Sequence, residues 1–509
     1  MNIKNELKWR ARLALALAAA LPLSLFPATG AAWQQGRPAV QPPTNPTGQE
    51  ATRVQPPVNK EILKVRLPRA KEATLKNGLR VIVLEGYNQL PTFTMQMVVL
   101  SGGLSDPPDR RGLANFTAAL LREGTKTRTS REIADQLDSL GATLTTDAGL
   151  SSLTSSVTTS GLVKNFDRAL DIFTDVIRNP SFPTDELEKY KTRTLAQLQL
   201  QRATPNFLSW ERFNQAIYDE HPAGIVSPPL DSLQRVTSAD FARFHSAHYL
   251  PNNAMLAVVG AVTLAEILPK IERVFGDWKS GVAPKTVIPP TPTQPAAKIY
   301  LIDRPSSVQT GIVLGNLGVT RDDPDYFALQ VMDKIVGGGP AARLYLNLRQ
   351  AHGYTYGAYS QFNSWKFRGT WYAGADVRTE VTEGAIKEFL YELKRVRDEH
   401  VTPAELDSAM RALVGSFALS LEQPQTLLQN IITQKLYNLS ADYWDTYPQK
   451  VAGISAEDVQ RAAQKYVDLA HLQIVAVGDA SKIRDVLAKY GTVEAYDSEG
   501  KLIKATDSK

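Results

Sequence analysis

The chain has 509 residues, of which 43% are hydrophobic and 21% are charged, and it contains no cysteine. A chain of this length exceeds what one hydrophobic core usually serves, so we expect two or more domains. The lack of cysteine excludes disulfides and thiolate metal ligands. The formal net charge of +5 is too small to indicate a nucleic-acid-binding surface.

The first 32 residues have the pattern of a secretory signal peptide. Basic residues precede an apolar run over residues 13–26, and the small residues 28–32 follow it. The run is shorter than the roughly 20 residues that cross a bilayer, and Pro22 interrupts it. We therefore predict cleavage near Ala32 and export to the periplasm, with a retained membrane anchor as the alternative. Residues 1–32 carry four basic residues and one acidic residue, so their removal would lower the net charge to +2.

Two Pro-rich segments divide the remaining chain. Residues 33–60 read as a flexible segment. Residues 280–297 read as an interdomain linker, because proline disfavours both helices and central strands. The predicted domains are therefore residues 61–279 and 298–492, followed by a C-terminal hairpin and tail over residues 493–509. Each half closes with a helix, an apolar strand and a further helix, so one duplicated α+β module explains the chain best.

Local signals in the first half support this organisation. Thr129 and Glu132 form a capping box before a helix over residues 133–140, which Gly141 ends. Residues 143–159 alternate between polar and β-prone side chains, which predicts strands with one face toward water.

Residues 112–125 are the most informative segment of the first half. Positions 115, 118 and 119 share one face of a helix, but Asn115 is a weak neutral ligand and Ala118 and Ala119 are none. A catalytic zinc site needs about three protein donors and one open position, and Ala118 cannot act as a general base. Taken alone, the segment predicts one amphipathic core helix, whose apolar stripe is Leu113, Phe116 and Leu120.

The same segment resembles the helix that carries the inverted zinc motif, His-x-x-Glu-His, in the pitrilysin/insulinase metallopeptidases. In this resemblance Asn115, Ala118 and Ala119 stand where the first histidine, the glutamate and the second histidine belong. The third ligand of the family is a glutamate on a downstream helix, and the matching positions here are Ala196 and Gln197. The resemblance therefore implies a degenerate centre with no metal and no cofactor in this chain.

The six histidines offer an alternative source of metal ligands. His245 and His248 lie at i and i+3 of one predicted helix, so a two-histidine clamp is conceivable, although no carboxylate or third histidine stands beside them at ligand spacing. The other histidines are isolated, and we expect them in loops or on the surface. They are His221, His352, His400 and His471.

The second half holds a pair with potential chemistry. On spacing alone, Arg349 is a surface arginine near a helix C-terminus and Tyr356 a half-buried strand residue. Residues 348–356 resemble the family segment Leu-Arg-x-x-x-Gly-x-x-Tyr, whose arginine and tyrosine reach the substrate beside the zinc. Both side chains can donate hydrogen bonds to a peptide carbonyl or an oxyanion.

A glycine run precedes this pair. Gly337, Gly338 and Gly339 resemble a glycine-rich loop that helps to admit substrate in the related non-catalytic subunits. A plain flexible turn is the other interpretation.

The resemblance covers residues 60–490 and implies a fold and a function. The expected fold is α+β, with two duplicated LuxS/mitochondrial-processing-peptidase-like metallohydrolase domains, each a mixed sheet with helices on one face, arranged as a clamshell. The implied function is that of a zinc-free subunit of an exported zinc endopeptidase, which supplies Arg349 and Tyr356 to a zinc-bearing homologous partner that cleaves unfolded peptide.

Three questions stay open at this point. The chain could be a peptide-binding or scaffold protein without a protease role, or an active zinc peptidase with atypical ligands. The oligomer could be a homodimer or a heterodimer.

Overall fold

A computed structural model describes residues 61–86, 90–293 and 296–503. The predicted signal peptide, the Pro-rich segment 33–60 and the end of the predicted tail lie outside these residues. No helix in the described ranges has the length and apolar character needed to cross a bilayer.

Two mixed sheets of six strands organise the described chain. The first sheet has the order β1-β2-β6-β3-β5-β4 and the second the order β12-β7-β11-β8-β10-β9. The strands are β1 Lys71–Thr74, β2 Arg80–Glu85, β3 Thr92–Val99, β4 Thr143–Ala148, β5 Ser155–Leu162, β6 Ala254–Gly260, β7 Lys298–Asp303, β8 Gln309–Leu317, β9 Thr355–Phe362, β10 Thr370–Arg378, β11 Gln473–Gly478 and β12 Val493–Tyr496.

The two sheets repeat one topology. In each, a parallel pair (β2 with β6, β7 with β11) is followed by antiparallel strands in the same spatial order. The sheets differ at one edge, where β1 is antiparallel to β2 and β12 is parallel to β7. The expectation of a duplicated α+β module is confirmed.

The helices occupy corresponding places in the two halves. The α-helices of the first half are α1 Leu113–Leu120, α2 Ser130–Leu140, α3 Phe166–Arg178, α4 Thr184–Arg202, α5 Pro205–Tyr218, α6 Leu230–Arg235, α7 Ser238–His248 and α8 Leu264–Phe275. Those of the second half are α9 Tyr326–Val336, α10 Thr382–Asp398, α11 Pro403–Ser420, α12 Pro424–Leu436, α13 Tyr447–Ala452, α14 Ala456–Tyr466 and α15 Ala480–Ala488. A π-helix spans Tyr345–Ala351.

Several local predictions are confirmed. The capping box of Thr129 and Glu132 starts α2, and Gly141 ends it in the left-handed conformation with φ 58°. The helix begins at Ser130, three residues before the predicted start, because the capping residue is itself the boundary. Beyond β12 the chain turns back, and Tyr496 bridges to Leu502.

One helix of each half packs on the sheet of the other half. Helix α5 of the first half packs on the second sheet, where Phe213 and Ile217 join a core with Val475. Helix α12 of the second half packs on β6 of the first sheet, so that Leu427 shares a core with Met255. Each sheet thus carries its own helices on one face and a helix of the other half on the opposite face. Separating the halves would expose both of these buried surfaces to water.

The segment between the halves has no regular secondary structure over the described residues 279–293, but it is tied down. His221 Nε2 lies 3.0 Å from the carbonyl oxygen of Pro289, and the Thr286 hydroxyl lies 2.6 Å from that of Ser105. The Asn252 carboxamide donates to the Gly281 carbonyl and accepts from its N–H. These bonds fix the course of the segment over the first half.

Candidate functional site

Three of the degenerate metal positions, Asn115, Ala118 and Ala119, lie on α1 and serve packing. The Asn115 carboxamide donates a hydrogen bond of 2.7 Å to the carbonyl oxygen of Ala148, the last residue of the edge strand β4. Ala118 is fully buried in the first core, and Ala119 is partly buried against it. The three predicted stripe residues of the same helix are buried as well: Leu113, Phe116 and Leu120. The side chain at the first ligand position therefore ties the helix to a strand.

A buried carboxylate caps the start of α1. Asp106 accepts hydrogen bonds from the backbone N–H groups of Gly112, at 2.7 Å, and Ala114, at 2.8 Å. Burial raises the pKa of Asp106 to about 7, although these bonds favour the charged form. No sequence pattern pointed to this residue, because it stands seven positions before Leu113, the first residue of the helix, and no capping motif covers that distance.

A second carboxylate orders the turn that follows α1. Asp175 on α3 accepts from the hydroxyls of Thr125, at 2.6 Å, and Thr127, at 2.7 Å, and from Arg128 at 2.7 Å. Burial opposes ionisation, but these hydrogen bonds and one from Asn179 outweigh it and lower the pKa of Asp175. The end of the degenerate motif is thereby held against α3.

The downstream glutamate position faces water. Gln197 and Ala196 are exposed on α4, whose Tyr190 packs edge-on against Phe116 of α1 at 6.0 Å between ring centroids. The described ranges contain no cluster of three or more His, Cys, Asp or Glu residues that could hold a metal ion.

The histidine pair on α7 does not form a clamp. His245 Nε2 lies 2.7 Å from the carbonyl oxygen of Ile177 and therefore carries the proton. Burial lowers the pKa of His245 to about 4. His248 Nδ1 lies 2.8 Å from the hydroxyl of Ser101, at a separate site. The i, i+3 spacing predicted a shared face, but the two rings bind different partners.

The structure brings Arg349 and Tyr356 together. The Arg349 guanidinium donates a hydrogen bond to the main-chain carbonyl of Tyr356 and lies 4.4 Å from the centroid of its ring. The same guanidinium lies 5.1 Å from the ring of Tyr345. Tyr356 is 87% exposed, so it lies on the surface, and the half-buried position expected from spacing alone is wrong. The side chains form a surface pair that can offer N–H and O–H donors to a ligand.

Three irregular features surround this pair: a π-helix, a reversal at Gly353 and a shift of strand register. The π-helix carries Arg349, and its wide turn is visible in the bond from the His352 N–H to the Asn347 carbonyl, five residues back. Gly353, at φ 62°, then reverses the chain into β9. The pairing of β9 with β10 shifts register between Ala375 and Val377, next to Tyr356. Single π-turns and bulges are often found at functional sites.

The glycine run is a packed turn. A Cβ on Gly337 would lie 2.0 Å from the backbone nitrogen of Ser360 in β9, and Gly339 has a φ of 152°. The Ser360 N–H donates to the Gly337 carbonyl at 3.2 Å. Gly337 is therefore required for the close approach of the loop to β9. A cavity of about 180 Å³ lies between the rest of the loop and α11.

Arg343, which follows this loop, is a buried anchor that the sequence did not reveal. Its guanidinium makes two bonds to the Glu405 carboxylate, of 2.7 and 3.0 Å, and its side chain is only 3% exposed. Burial raises the pKa of Glu405, but the bonds from Arg343 and Thr402 dominate and lower it to about 2. The pair connects the loop to the start of α11. Arg343 stands two residues before the π-helix begins.

Together, the two duplicated modules, each a six-stranded mixed sheet with its helices, define a two-domain fold of the metallopeptidase-like kind. A model described as "Insulinase (Peptidase family M16)" matches residues 81–226, and one described as "Peptidase M16 inactive domain" matches residues 235–413. The chain belongs to the insulinase-like peptidase M16 family, which confirms the resemblance seen in the sequence.

Two curated relatives match most of the chain in sequence. The uncharacterized zinc protease YmxG of Bacillus subtilis is 25% identical over 362 residues, which cover 69% of this chain and 84% of that protein. A protein of Arabidopsis thaliana described as probable mitochondrial-processing peptidase subunit beta is 23% identical over 432 residues, covering 82% of this chain and 80% of that protein.

Solved structures share the fold. One described as a peptidase M16 inactive domain from Pseudomonas fluorescens is 28% identical, with a TM-score of 0.74, and the match covers 81% of this chain and 98% of that one. The structure of a protease from Helicobacter pylori has the same TM-score at 20% identity and covers 81% of this chain and 100% of that one.

Proposed function

We propose that this chain is the zinc-free subunit of an exported zinc endopeptidase. In this proposal Arg349 and Tyr356 complete the active site of a homologous partner that carries the zinc. The observation behind it is the contrast between the two halves: the first has Asn115, Ala118 and Gln197 at the metal positions, whereas the second presents an exposed donor pair.

The chemistry of the pair suits the hydrolysis of a peptide bond. A tetrahedral intermediate carries an oxyanion, which hydrogen-bond donors fixed in place stabilise. The Tyr356 hydroxyl faces solvent, and Arg349 keeps further N–H groups beyond the one bonded to the Tyr356 carbonyl. Stacking on Tyr356 and Tyr345 restricts the guanidinium before any substrate arrives, which lowers the entropy lost on binding.

The partner and the substrate follow from the same reasoning. The partner would be a homologous subunit with an intact His-x-x-Glu-His motif, whose zinc supplies the metal chemistry. The substrate would be an unfolded peptide, held in an extended form as an added strand at a sheet edge. The signal-peptide pattern of residues 1–32 supports export to the periplasm as part of the proposal.

The test is reconstitution with a candidate partner. The chain would be co-expressed with a homologue that has the intact motif, and the purified complex assayed on a fluorogenic peptide. We expect cleavage by the complex and none by this chain alone. The variants Arg349→Ala and Tyr356→Phe should lower kcat by about tenfold or more, with the roughly hundred- to thousandfold loss of a complete oxyanion donor as the upper range. Arg131→Ala and Tyr391→Phe, on exposed helix surfaces, are matched controls.

The same preparation separates the alternatives. Stoichiometric zinc and peptidase activity in the isolated chain would identify an active peptidase with atypical ligands. Peptide binding without any stimulation of the partner would identify a binding or scaffold protein. A complex whose rate is unchanged by both site variants would refute the composite active site.

A further inference from the structure

Among the described residues, a cavity between the two halves is lined by cationic side chains and by no acidic ones. Its volume is about 550 Å³, within the range of about 300–1,000 Å³ that ligand pockets occupy. The wall combines β2, the turn between β4 and β5, the segment that connects the halves, the β9–β10 turn and α12. No part of this wall belongs to α1 or to the Arg349–Tyr356 pair.

Four cationic side chains from four of these segments line the cavity. They are Arg80, Lys285, Lys366 and Lys435, and no lining residue is an aspartate or a glutamate. One carboxylate outside the lining, Glu72, reaches two of them, at 2.5 Å from Lys435 and 3.8 Å from Arg80. Lys285 and Lys366 form no ion pair with the described residues.

An adjoining cavity of about 450 Å³ shares Leu153, Thr154 and Leu436 with the first. It adds Arg321, whose guanidinium stacks on aromatic rings. The Nε of Arg321 is buried and has no hydrogen-bond partner in the described part of the chain. Trp365, which is 45% exposed, stands at the same wall. The two cavities share a wall and together form one cleft lined by five cations, and among the described residues only Glu72 makes ion pairs with them.

Solvated surface lysines are the ordinary explanation for a cationic patch, and such charges are usually interspersed with carboxylates. Here the cations come from distant parts of the sequence, between residues 80 and 435, and converge on one concavity. Like charges in a cleft with low-dielectric walls concentrate the electric field and attract anions. The segment carrying Lys285 is held over the cleft by the bonds of Thr286 and Pro289.

We propose that this cleft binds an acidic segment of a peptide. Carboxylate side chains would pair with Lys285 and Lys366, and the aromatic wall at Trp365 would contact the apolar parts of the peptide. A nucleic acid is less well matched, since proteins that bind it present basic stripes along an extended surface, whereas these cations converge on one cleft.

The test measures binding to the full chain without any partner. A fluorescein-labelled Glu-rich peptide with one tryptophan would be titrated with the protein at low and high salt and followed by anisotropy. We expect saturable binding that weakens as salt screens the charges. Lys285→Gln/Lys366→Gln should weaken it by roughly two- to thirtyfold, the range of two solvent-exposed ion pairs. Lys164→Gln/Lys394→Gln removes two exposed charges elsewhere and should leave binding unchanged.

Three results would overturn the proposal. They are the absence of binding, an equal loss of affinity in the two double variants, and tighter binding of a labelled oligonucleotide than of the acidic peptide. Thermal melting of both variants confirms that each is folded. Because the measurement needs neither a zinc-bearing partner nor cleavage, it succeeds or fails independently of the composite active site.

Discussion

The Arg349 guanidinium contacts both the main chain and the side chain of Tyr356. It donates a hydrogen bond to the Tyr356 carbonyl and stacks 4.4 Å from the centroid of the Tyr356 ring. The tyrosine ring and the guanidinium therefore present their donors in a fixed relation, although Tyr356 is almost fully exposed. An exposed tyrosine on a regular strand would sample several rotamers. The pair is thus organised before any ligand binds.

The buried ion pair beside the glycine run should be important for stability. Arg343→Ala leaves the Glu405 carboxylate without its bidentate partner, and breaking such a pair costs about 2–4 kcal/mol of unfolding free energy when one partner is partly exposed. Urea unfolding followed by circular dichroism measures the change. Arg131→Ala, which breaks an exposed i, i+4 pair, should cost less than about 0.5 kcal/mol. Equal effects of the two variants would contradict this assignment.

Restoring the motif glutamate should harm the fold. Ala118 has no exposed surface, so Ala118→Glu forces a longer, charged side chain into a packed core, at a cost of about 2 kcal/mol or more. Ala196→Glu, at one of the two candidate positions for the downstream ligand, is exposed and should change stability by less than about 0.5 kcal/mol. Thermal melting of both variants gives the comparison. A stable Ala118→Glu protein would show that the site still accommodates the catalytic residue.

Asp106 should make stability depend on pH. Its pKa is raised to about 7 in the folded chain, with burial as the main cause, so the folded state holds the proton more tightly than the unfolded state. The stabilisation is complete below the unfolded pKa of about 4 and is lost as the pH rises toward 7. The stability of the native chain relative to Asp106→Asn should therefore fall between pH 4 and pH 7, by an amount of the order of 3 kcal/mol. A difference that is constant across this range would contradict the prediction.

Gly337 should be intolerant of any side chain. A Cβ at this position meets the Ser360 nitrogen at 2.0 Å, so Gly337→Ala must move β9 and should lower the free energy of unfolding by about 2 kcal/mol or more. Gly357→Ala on the same strand has open space around its Cβ and should cost much less. If the two variants unfold alike, the loop is the flexible turn that the sequence also allowed.

Local features of the fold were predictable from the sequence because their causes are local. The capping box of Thr129 and Glu132, the buried stripe of α1 and the repeated strand and helix order all follow from short-range patterns. The family resemblance implied that Arg349 and Tyr356 lie close together. In the folded chain the reversal at Gly353 brings the end of the π-helix next to the start of β9.

The remaining features depend on contacts between distant residues. Asn115 bonds to Ala148, 33 residues away, and helix α12 packs on a sheet formed more than 150 residues earlier. No periodicity in the sequence encodes such partners. The exchange of helices between the halves and the cationic cleft could be found only in the folded chain.

The central claim, that this chain lends donors to another subunit's zinc site, is tested most directly by a mixing experiment. The purified zinc-bearing partner would be combined with the native chain, with Arg349→Ala/Tyr356→Phe, or with Arg131→Ala/Tyr391→Phe, and kcat for a fluorogenic peptide would be measured at saturating amounts of each chain. Size-exclusion chromatography would confirm that every mixture forms the complex. We expect full activity with the native chain and the control, and a loss of about tenfold or more with the site variant. Full activity with the site variant in an intact complex would contradict the claim.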